Sequence, residues 1–326
     1  MAYQQEKSVA IEAAIAAAKL CQQVRSKIPP EAIEKKDKSP VTIADYGAQA
    51  LICHALDLAF PKDPIVGEED AAQLRSPDMK DKLDQVTQYV QALEPKATPG
   101  AVMDWIDRGN GQSAERFWTL DPIDGTKGFL RNDQYAVAIA LLEGGEIKVG
   151  VLACPALKFD ADSEEGLLFV AVRGEGAQMM PISDISKAQT ITVAGDDPAN
   201  LRFVESVESS HGDQGRQQSV ASAVGFTTAP LKMDSQAKYG AVAAGQAALY
   251  LRLPSPKSPN YREKIWDHAA GVIVVEEAGG RATDMHGNPL DFSKGQKLVD
   301  NQGVVVSNGA IHDTVLEALK ASVPSA

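Results

Sequence analysis

Long apolar runs are missing from these 326 residues, and none approaches the roughly 20 needed to span a bilayer. The opening MAYQQEKS also lacks a basic stretch followed by an apolar signal core, so the expectation is a cytoplasmic protein with no membrane partner. Cysteine is scarce. Cys21, Cys53 and Cys154 are odd in number and far apart, with no CxxC spacing and no His/Cys cluster, which predicts reduced, partly buried thiols and no zinc site. Basic residues are outnumbered, 32 Lys and Arg against 44 Asp and Glu, and a net charge of −12 would repel a nucleic-acid backbone. Polymeric nucleic acid is not an expected partner. The surplus of carboxylates permits a divalent-cation site without requiring one, because solubility alone accounts for most surface Asp and Glu.

What is present reads as an ordinary folded chain. Apolar residues make up 44% and charged residues 23%, and the length suits one large α/β domain or two lobes sharing a cleft. Apolar residues at helical spacing from Glu6 to Ile28 predict a first helix that stops before Pro29 and Pro30. A charged loop, EKKDKSP, precedes a second helix that starts at Thr42 and Asp45 and ends near Pro61. Residues 71–115 are polar and broken by proline and glycine, so they read as an insertion with one helix between Lys80 and Leu93. FWTLDPI reads as a strand. AVAIALLE with EIKVGVLAC, and GLLFVAV with GAQMM, read as two hairpins. Past residue 185, short strands (TITVAG, RFVES, ALYLRL, GVVVS) alternate with helical runs at 236–247, 267–279 and 311–321, a pattern that favours a mostly parallel sheet. The expected fold class is α/β, with an α+β first lobe over 1–185 and an α/β second lobe over 186–326, joined without a flexible linker.

Two motifs carry candidate chemistry. In Asp121-Pro122-Ile123-Asp124-Gly125-Thr126, carboxylates three apart on a regular strand would point to opposite faces. Pro122 removes a ladder donor and Gly125 tolerates conformations closed to other residues, so the strand can break and aim both carboxylates at one point, where a divalent cation would relieve their repulsion. A plain surface turn would use the same residues. Against that, FWTL enters the motif and KGFLR leaves it, placing a buried strand end beside a helix start at Thr126 whose free N–H groups could hold a phosphate. In the second motif, Trp266-Asp267-His268-Ala269-Ala270-Gly271, Asp267 is expected in the first turn of an apolar helix, as a helix cap or as a ligand.

WTLDPIDGTKGF together with WDHAAGVIVVEEAGG resembles the paired signature of the inositol monophosphatase superfamily of lithium-sensitive, magnesium-dependent phosphatases. Within it the sequence is most similar to the 3′(2′),5′-bisphosphate nucleotidases, through VTIADYGAQ, IVGEE, DPIDGTKGFLR, VESSH, DSQAKYG, LYLRLP and EKIWDHAAG. The similarity spans nearly the whole chain and departs mainly after Glu69. It implies the layered αβαβα sandwich of the inositol monophosphatase and fructose-1,6-bisphosphatase type. It also implies two to three Mg²⁺ ions held by Glu68, Asp121, Asp124, Asp267 and the Ile123 carbonyl, with Asp45 and Thr126 activating the attacking water. Glu69 is adjacent to Glu68 and also acidic, and Thr42 with Asp45 equally fits an S/T-x-x-D capping box.

By the same resemblance Thr126, His211, Ser235, Lys238 and Arg252 bind a small-molecule nucleotide, Lys238 and Arg252 reaching its non-scissile 5′-phosphate and His211 lying near the adenosine. As bare residues, His211 also fits a loop or cap and Lys238 and Arg252 also fit solvated side chains. The implied reaction is hydrolysis of the 3′-phosphate of 3′-phosphoadenosine 5′-phosphate to AMP and phosphate, with its sulfated analogue a further substrate, in sulfate assimilation and salt tolerance. A monomer is expected. The rival readings are an inositol polyphosphate 1-phosphatase and a catalytically silent nucleotide sensor; DSQAKYG and VESSH favour the nucleotide, and the intact acidic positions argue against a silent protein.

Overall fold

The computed structural model describes residues 2–27, 33–34, 40–159, 166–196, 201–208 and 212–322. His211 and most of the EKKDKSP loop lie outside them. Helix α1 (Gln4–Lys27) is followed by the short pair β1 (Ile33–Glu34) and β2 (Pro40–Val41) and then by α2 (Ile43–Ala59), close to both expected helices. Next come β3 (Ile65–Gly67), α3 (Lys80–Gln91), α4 (Pro99–Asp107), β4 (Arg116–Asp124) and the single-turn α5 (Thr126–Leu130). The two expected hairpins are β5 (Ala136–Glu143) with β6 (Glu146–Cys154), and β7 (Leu167–Val172) with β8 (Gly176–Pro181). After them the chain runs through β9 (Gln189–Ile191), β10 (Phe203–Glu205), α6 (Gln214–Val224), β11 (Leu231–Lys232), α7 (Ala237–Ala243) and β12 (Leu249–Arg252). It finishes with α8 (Ala269–Glu277), β13 (Arg281–Thr283), β14 (Val304–Ser307) and α9 (His312–Ala321).

Among the described residues β3 to β9 form one sheet in sequence order, antiparallel except for the β3–β4 edge. The second sheet, in the order β11-β10-β12-β14-β13, is only half parallel: β10 pairs in parallel with β11 and β12, while β14 runs antiparallel to β12 and β13. The expectation of a mostly parallel sheet is corrected on that point, because no helix crosses between β13 and β14 and the chain returns by a loop. TITVAG contributes β9, which pairs with β8 in the first sheet, so the change of sheet falls between Ile191 and Phe203.

Among the described residues three apolar clusters show the layering. One lies between α1 to α4 and the outer face of the first sheet, a second between that sheet, α7, α8 and the second sheet, and a third between the second sheet and α6 and α9. The result is the αβαβα sandwich, with α7 and α8 as its central layer. Residues 71–115 are built into the first cluster: Leu83, Val86 and Val90 of α3 and Val102 and Ile106 of α4 are buried there. The helix α4 was not expected from the sequence. Its Pro99 stands in the first turn, where a missing N–H is harmless, and Thr98 caps it by accepting from the Ala101 amide. Among the described residues no helix is long and apolar enough to cross a membrane.

Candidate active site

Strand β4 is buried between its half-buried ends Arg116 and Asp124, and its pairing with β5 slips between Asp121 and Asp124: Asp121 stands opposite Ala138 but Asp124 opposite Ala136. Pro122 and Ile123 therefore stand opposite the single residue Val137, the irregularity that lets carboxylates three apart converge. The Asp121 carboxylate also accepts from the Ile123 amide at 3.0 Å, tightening the bend. Gly125 follows in the left-handed region at φ +87°. A side chain there would meet Ser235 Cβ at 3.0 Å, so glycine also admits a second turn against the first. In that second turn Ser235 is itself left-handed at φ +66°, and the Gln236 amide donates to Asp124 Oδ2 at 2.5 Å.

Asp267 sits two residues before α8, ahead of the cap residue His268, and not in the first helical turn as expected. The backbone turns before the helix begins, which directs Asp267 into a cavity of about 380 Å³ beside Glu68, Asp121 and Asp124. Burial raises the Asp121 carboxyl well above its ordinary range, reinforced by repulsion from Glu68, Asp124 and Asp267 and by a hydrogen bond shared with Glu68. Asp267 is pushed well up by burial and by Asp124 and Glu68. Burial raises Asp124 too, with Lys238 and the Gln236 amide opposing it. Glu69 is not among the residues that line the cavity; it is buried with its backbone clamped by the Gln49 amide. The cavity position belongs to Glu68.

Asp45 joins from α2. Its Oδ2 accepts from the Thr42 amide at 2.7 Å and the Thr42 hydroxyl at 2.6 Å, a capping box, while Oδ1 stands 3.4 Å from the Thr126 hydroxyl. Capping accounts for the first oxygen and is worth about 1 kcal/mol. The second oxygen reaches out of its own helix, so the capping and site readings both hold for one side chain. The Thr126 hydroxyl is also 3.2 Å from the Ile123 carbonyl.

The same cavity carries cations. Lys238 is buried, donates to the Ser235 carbonyl at 2.8 Å and lies 5.1 Å from the centre of the Tyr250 ring; burial pushes its pKa down to about 8. It is not a solvated lysine. Arg252, at the end of β12, donates from Nε to Glu263 at 3.2 Å. Although burial works against it, Glu263 is held down at about 2 by Arg252 and His268. Three contributors were not singled out from the sequence: Gln236, which also bonds the Trp266 carbonyl and the Gly271 amide, Glu263, and His268. EKIWDHAAG contained two of them, but a Glu and a His among apolar neighbours signal no partner until the fold supplies Arg252 and Tyr239. Among the described residues one group offers three ligand atoms within 4.8 Å of one another, Glu263, Asp267 and His268. Glu263 is already engaged by Arg252 and His268, and His268 by Tyr239, which leaves that group poorly suited to a cation.

Residues 2–323 match the inositol monophosphatase family. The chain belongs to that family. Relatives at 41% identity include the 3′(2′),5′-bisphosphate nucleotidase of Emericella nidulans, over 98% of this chain and 99% of its own, and that of Schizosaccharomyces pombe, over 98% and 96%. Solved inositol monophosphatase folds align along the full layered sandwich: the Thermotoga maritima IMPase at a TM-score of 0.67, with 21% identity and 98% of both chains covered, and the Anabaena inositol monophosphatase at 0.62, with 22% identity over 99% and 98%. At those identities they establish the fold.

Proposed function

We propose that this family member is a 3′(2′),5′-bisphosphate nucleotidase that removes the 3′-phosphate of 3′-phosphoadenosine 5′-phosphate, leaving AMP and phosphate. The observation that carries the reading is a single cavity with two characters: a carboxylate cluster at Asp121, Asp124 and Asp267, and two cationic side chains, Lys238 and Arg252. A substrate with two separate phosphates matches both.

The donor set fits magnesium, on which the family generally depends. Glu68, Asp121, Asp124, Asp267 and the Ile123 carbonyl offer only hard oxygen atoms, and Asp121 and Asp267 are raised by burial and further by repulsion from neighbouring carboxylates that a cation would relieve. When bound, two to three magnesium ions would lower the pKa of a water and stabilise charge on the leaving oxygen. The protein's own part is positioning and proton handling. Asp45 Oδ1 and the Thr126 hydroxyl orient the water and take its proton, and the double hold of Thr42 on Oδ2 keeps that carboxylate from turning away. Lys238 and Arg252 grip the 5′-phosphate, with Ser235 and His211 completing the nucleotide site. No covalent intermediate forms. The sulfated analogue is a further substrate because its distal group stays clear of the reacting phosphorus, and lithium inhibits by entering a magnesium position without the same charge.

The test is hydrolysis in ¹⁸O-water with magnesium. Label in the released phosphate together with unlabelled AMP is expected. Adenosine 3′-phosphate as the product would reverse the assigned orientation, and label in the nucleotide would place the attack at carbon.

A further inference from the structure

Along the wall of the same cavity, which Tyr239, Arg252 and His268 line, four side chains from three segments form an unbroken line of hydrogen bonds. Tyr239 of α7 places its hydroxyl 2.6 Å from His268 Nδ1, His268 Nε2 is 3.3 Å from Glu263 Oε2, and Arg252 Nε is 3.2 Å from Glu263 Oε1. Tyr239 is 1% exposed, His268 1% and Glu263 4%.

The hydrogens can be assigned. An ionised Glu263 only accepts, so His268 carries hydrogen on Nε2, leaving Nδ1 to accept from the Tyr239 hydroxyl. Arg252 contributes only Nε to the line, so its two terminal amino groups, a fork suited to a phosphate, stay available to the cavity that Arg252 lines. Gly271 of α8 locks the far end: a Cβ there would lie 2.3 Å from the Tyr239 ring, so the phenol is seated directly against the helix that follows His268.

Burying a carboxylate and a guanidinium together is weak as a source of stability, because desolvation cancels most of the attraction. What the pair does supply is orientation. An arginine left to itself samples many rotamers; one anchored at Nε by a carboxylate that is itself fixed has its fork aimed before ligand arrives.

We infer that Glu263 is a positioning residue which, through the Tyr239–His268–Glu263–Arg252 line, holds the Arg252 fork for a second anionic group and so sets the preference for doubly over singly phosphorylated substrates. This rests on the reading of Arg252 as a ligand of the 5′-phosphate. It extends that reading to Glu263, which does not itself line the cavity.

The test compares 3′-phosphoadenosine 5′-phosphate with adenosine 3′-phosphate, identical except for the 5′-phosphate, in the full chain with magnesium. Glu263→Gln, nearly isosteric but uncharged, should raise KM for the bisphosphate about tenfold or more, change its kcat by less than about threefold, and move KM for the monophosphate far less. Arg252→Lys, measured alongside, should erode the same discrimination, and the double variant should be no worse than the poorer single one. Equal KM changes on both substrates, a fall in kcat alone, or no change would each overturn the positioning role. If Arg252→Lys also leaves discrimination intact, the 5′-phosphate assignment of Arg252 falls instead, which separates the two failures. Should Glu263→Gln not fold, Glu263→Asp, which keeps the charge but shortens the reach, is expected to give the same split in KM, and its absence there counts against the inference in the same way.

Discussion

Thr126 Oγ1 stands 3.4 Å from Asp45 Oδ1, joining the first turn of α2 to the first residue of α5 across 81 residues of sequence. The one hydroxyl hydrogen has two acceptors, the Ile123 carbonyl at 3.2 Å and Asp45; turned to Asp45 it leaves the oxygen's lone pairs for a water, so that the two side chains form one proton path. Asp45→Asn removes the acceptor's charge but keeps an oxygen for the cap. It should lower kcat by about a hundredfold or more with a far smaller change in KM, and Thr126→Val should act in the same direction. Because the pair works as a unit, the double variant should lose little beyond the worse single one. Steady-state kinetics on the three variants decides it, and multiplicative losses would separate the two residues.

The carboxylate cluster carries a sign that can be measured without turnover. Asp121, Asp124 and Asp267 all have raised pKa values in the folded chain, so without a cation they contribute instability that builds as pH rises above the ordinary carboxylate range and through those raised values. Magnesium should therefore raise the thermal midpoint, by the equivalent of about 2.7 kcal/mol when it exceeds its Kd a hundredfold. Asp124→Asn should be at least as stable as the parent in chelator, gain less from magnesium and lose most activity. Near-normal turnover by folded Asp124→Asn would falsify its place among the ligands.

Lys238 offers a contrast between substrates. Lys238→Met keeps the bulk of the stem in its buried slot against Tyr250 but removes the charge. KM for the nucleotide should rise by about tenfold, and KM for a small inositol phosphate should change far less. Parallel rises on both would take Lys238 out of the nucleotide site.

His312 predicts an acid limit unrelated to the site. It is fully buried, with Nε2 2.9 Å from the Thr283 hydroxyl and Nδ1 2.8 Å from that of Ser307, and burial with Arg281 nearby pushes its pKa from 6.5 to about 4. Thr283 already donates to the Asp284 carbonyl, so it accepts from Nε2–H and the ring stays neutral with Ser307 donating to Nδ1. The unfolded chain binds the extra proton between pH 6.5 and 4, so this stability is whole above 6.5 and is lost as pH falls through that window, up to ~3 kcal/mol. Urea titrations at pH 7, 5.5 and 4.5 should show a shallower slope for His312→Gln than for the parent. Parallel slopes would mean the imidazole titrates normally.

These residues also mark how far sequence reading reached. Pattern and turn chemistry disclosed what is local: the capping box at Thr42 and Asp45, the broken strand end at Asp121 to Asp124, and most strands and helices. Pro99 and Gly100 concealed α4, because residues that break a helix interior are harmless in its first turn. The pairing of β9 with β8, and of β14 with two antiparallel neighbours, depends on contacts between distant segments that periodicity does not encode. Asp267 looked like a first-turn residue because DHAAG runs straight into an apolar helix; the bend before Ala269 is set by tertiary packing. The Glu263 line was invisible for a similar reason, since its members come from three segments and each is unremarkable alone. Lys238 was ambiguous until its burial was seen.

Phosphate release from 3′-phosphoadenosine 5′-phosphate and from inositol 1,4-bisphosphate, measured side by side with magnesium, with chelator, and with magnesium plus lithium, decides whether the protein is a nucleotide phosphatase. Release that requires magnesium, falls with lithium and favours the nucleotide is expected. Preference for the inositol phosphate would contradict the nucleotide assignments of Lys238 and Arg252, and absence of release from both under every condition would contradict the enzyme itself.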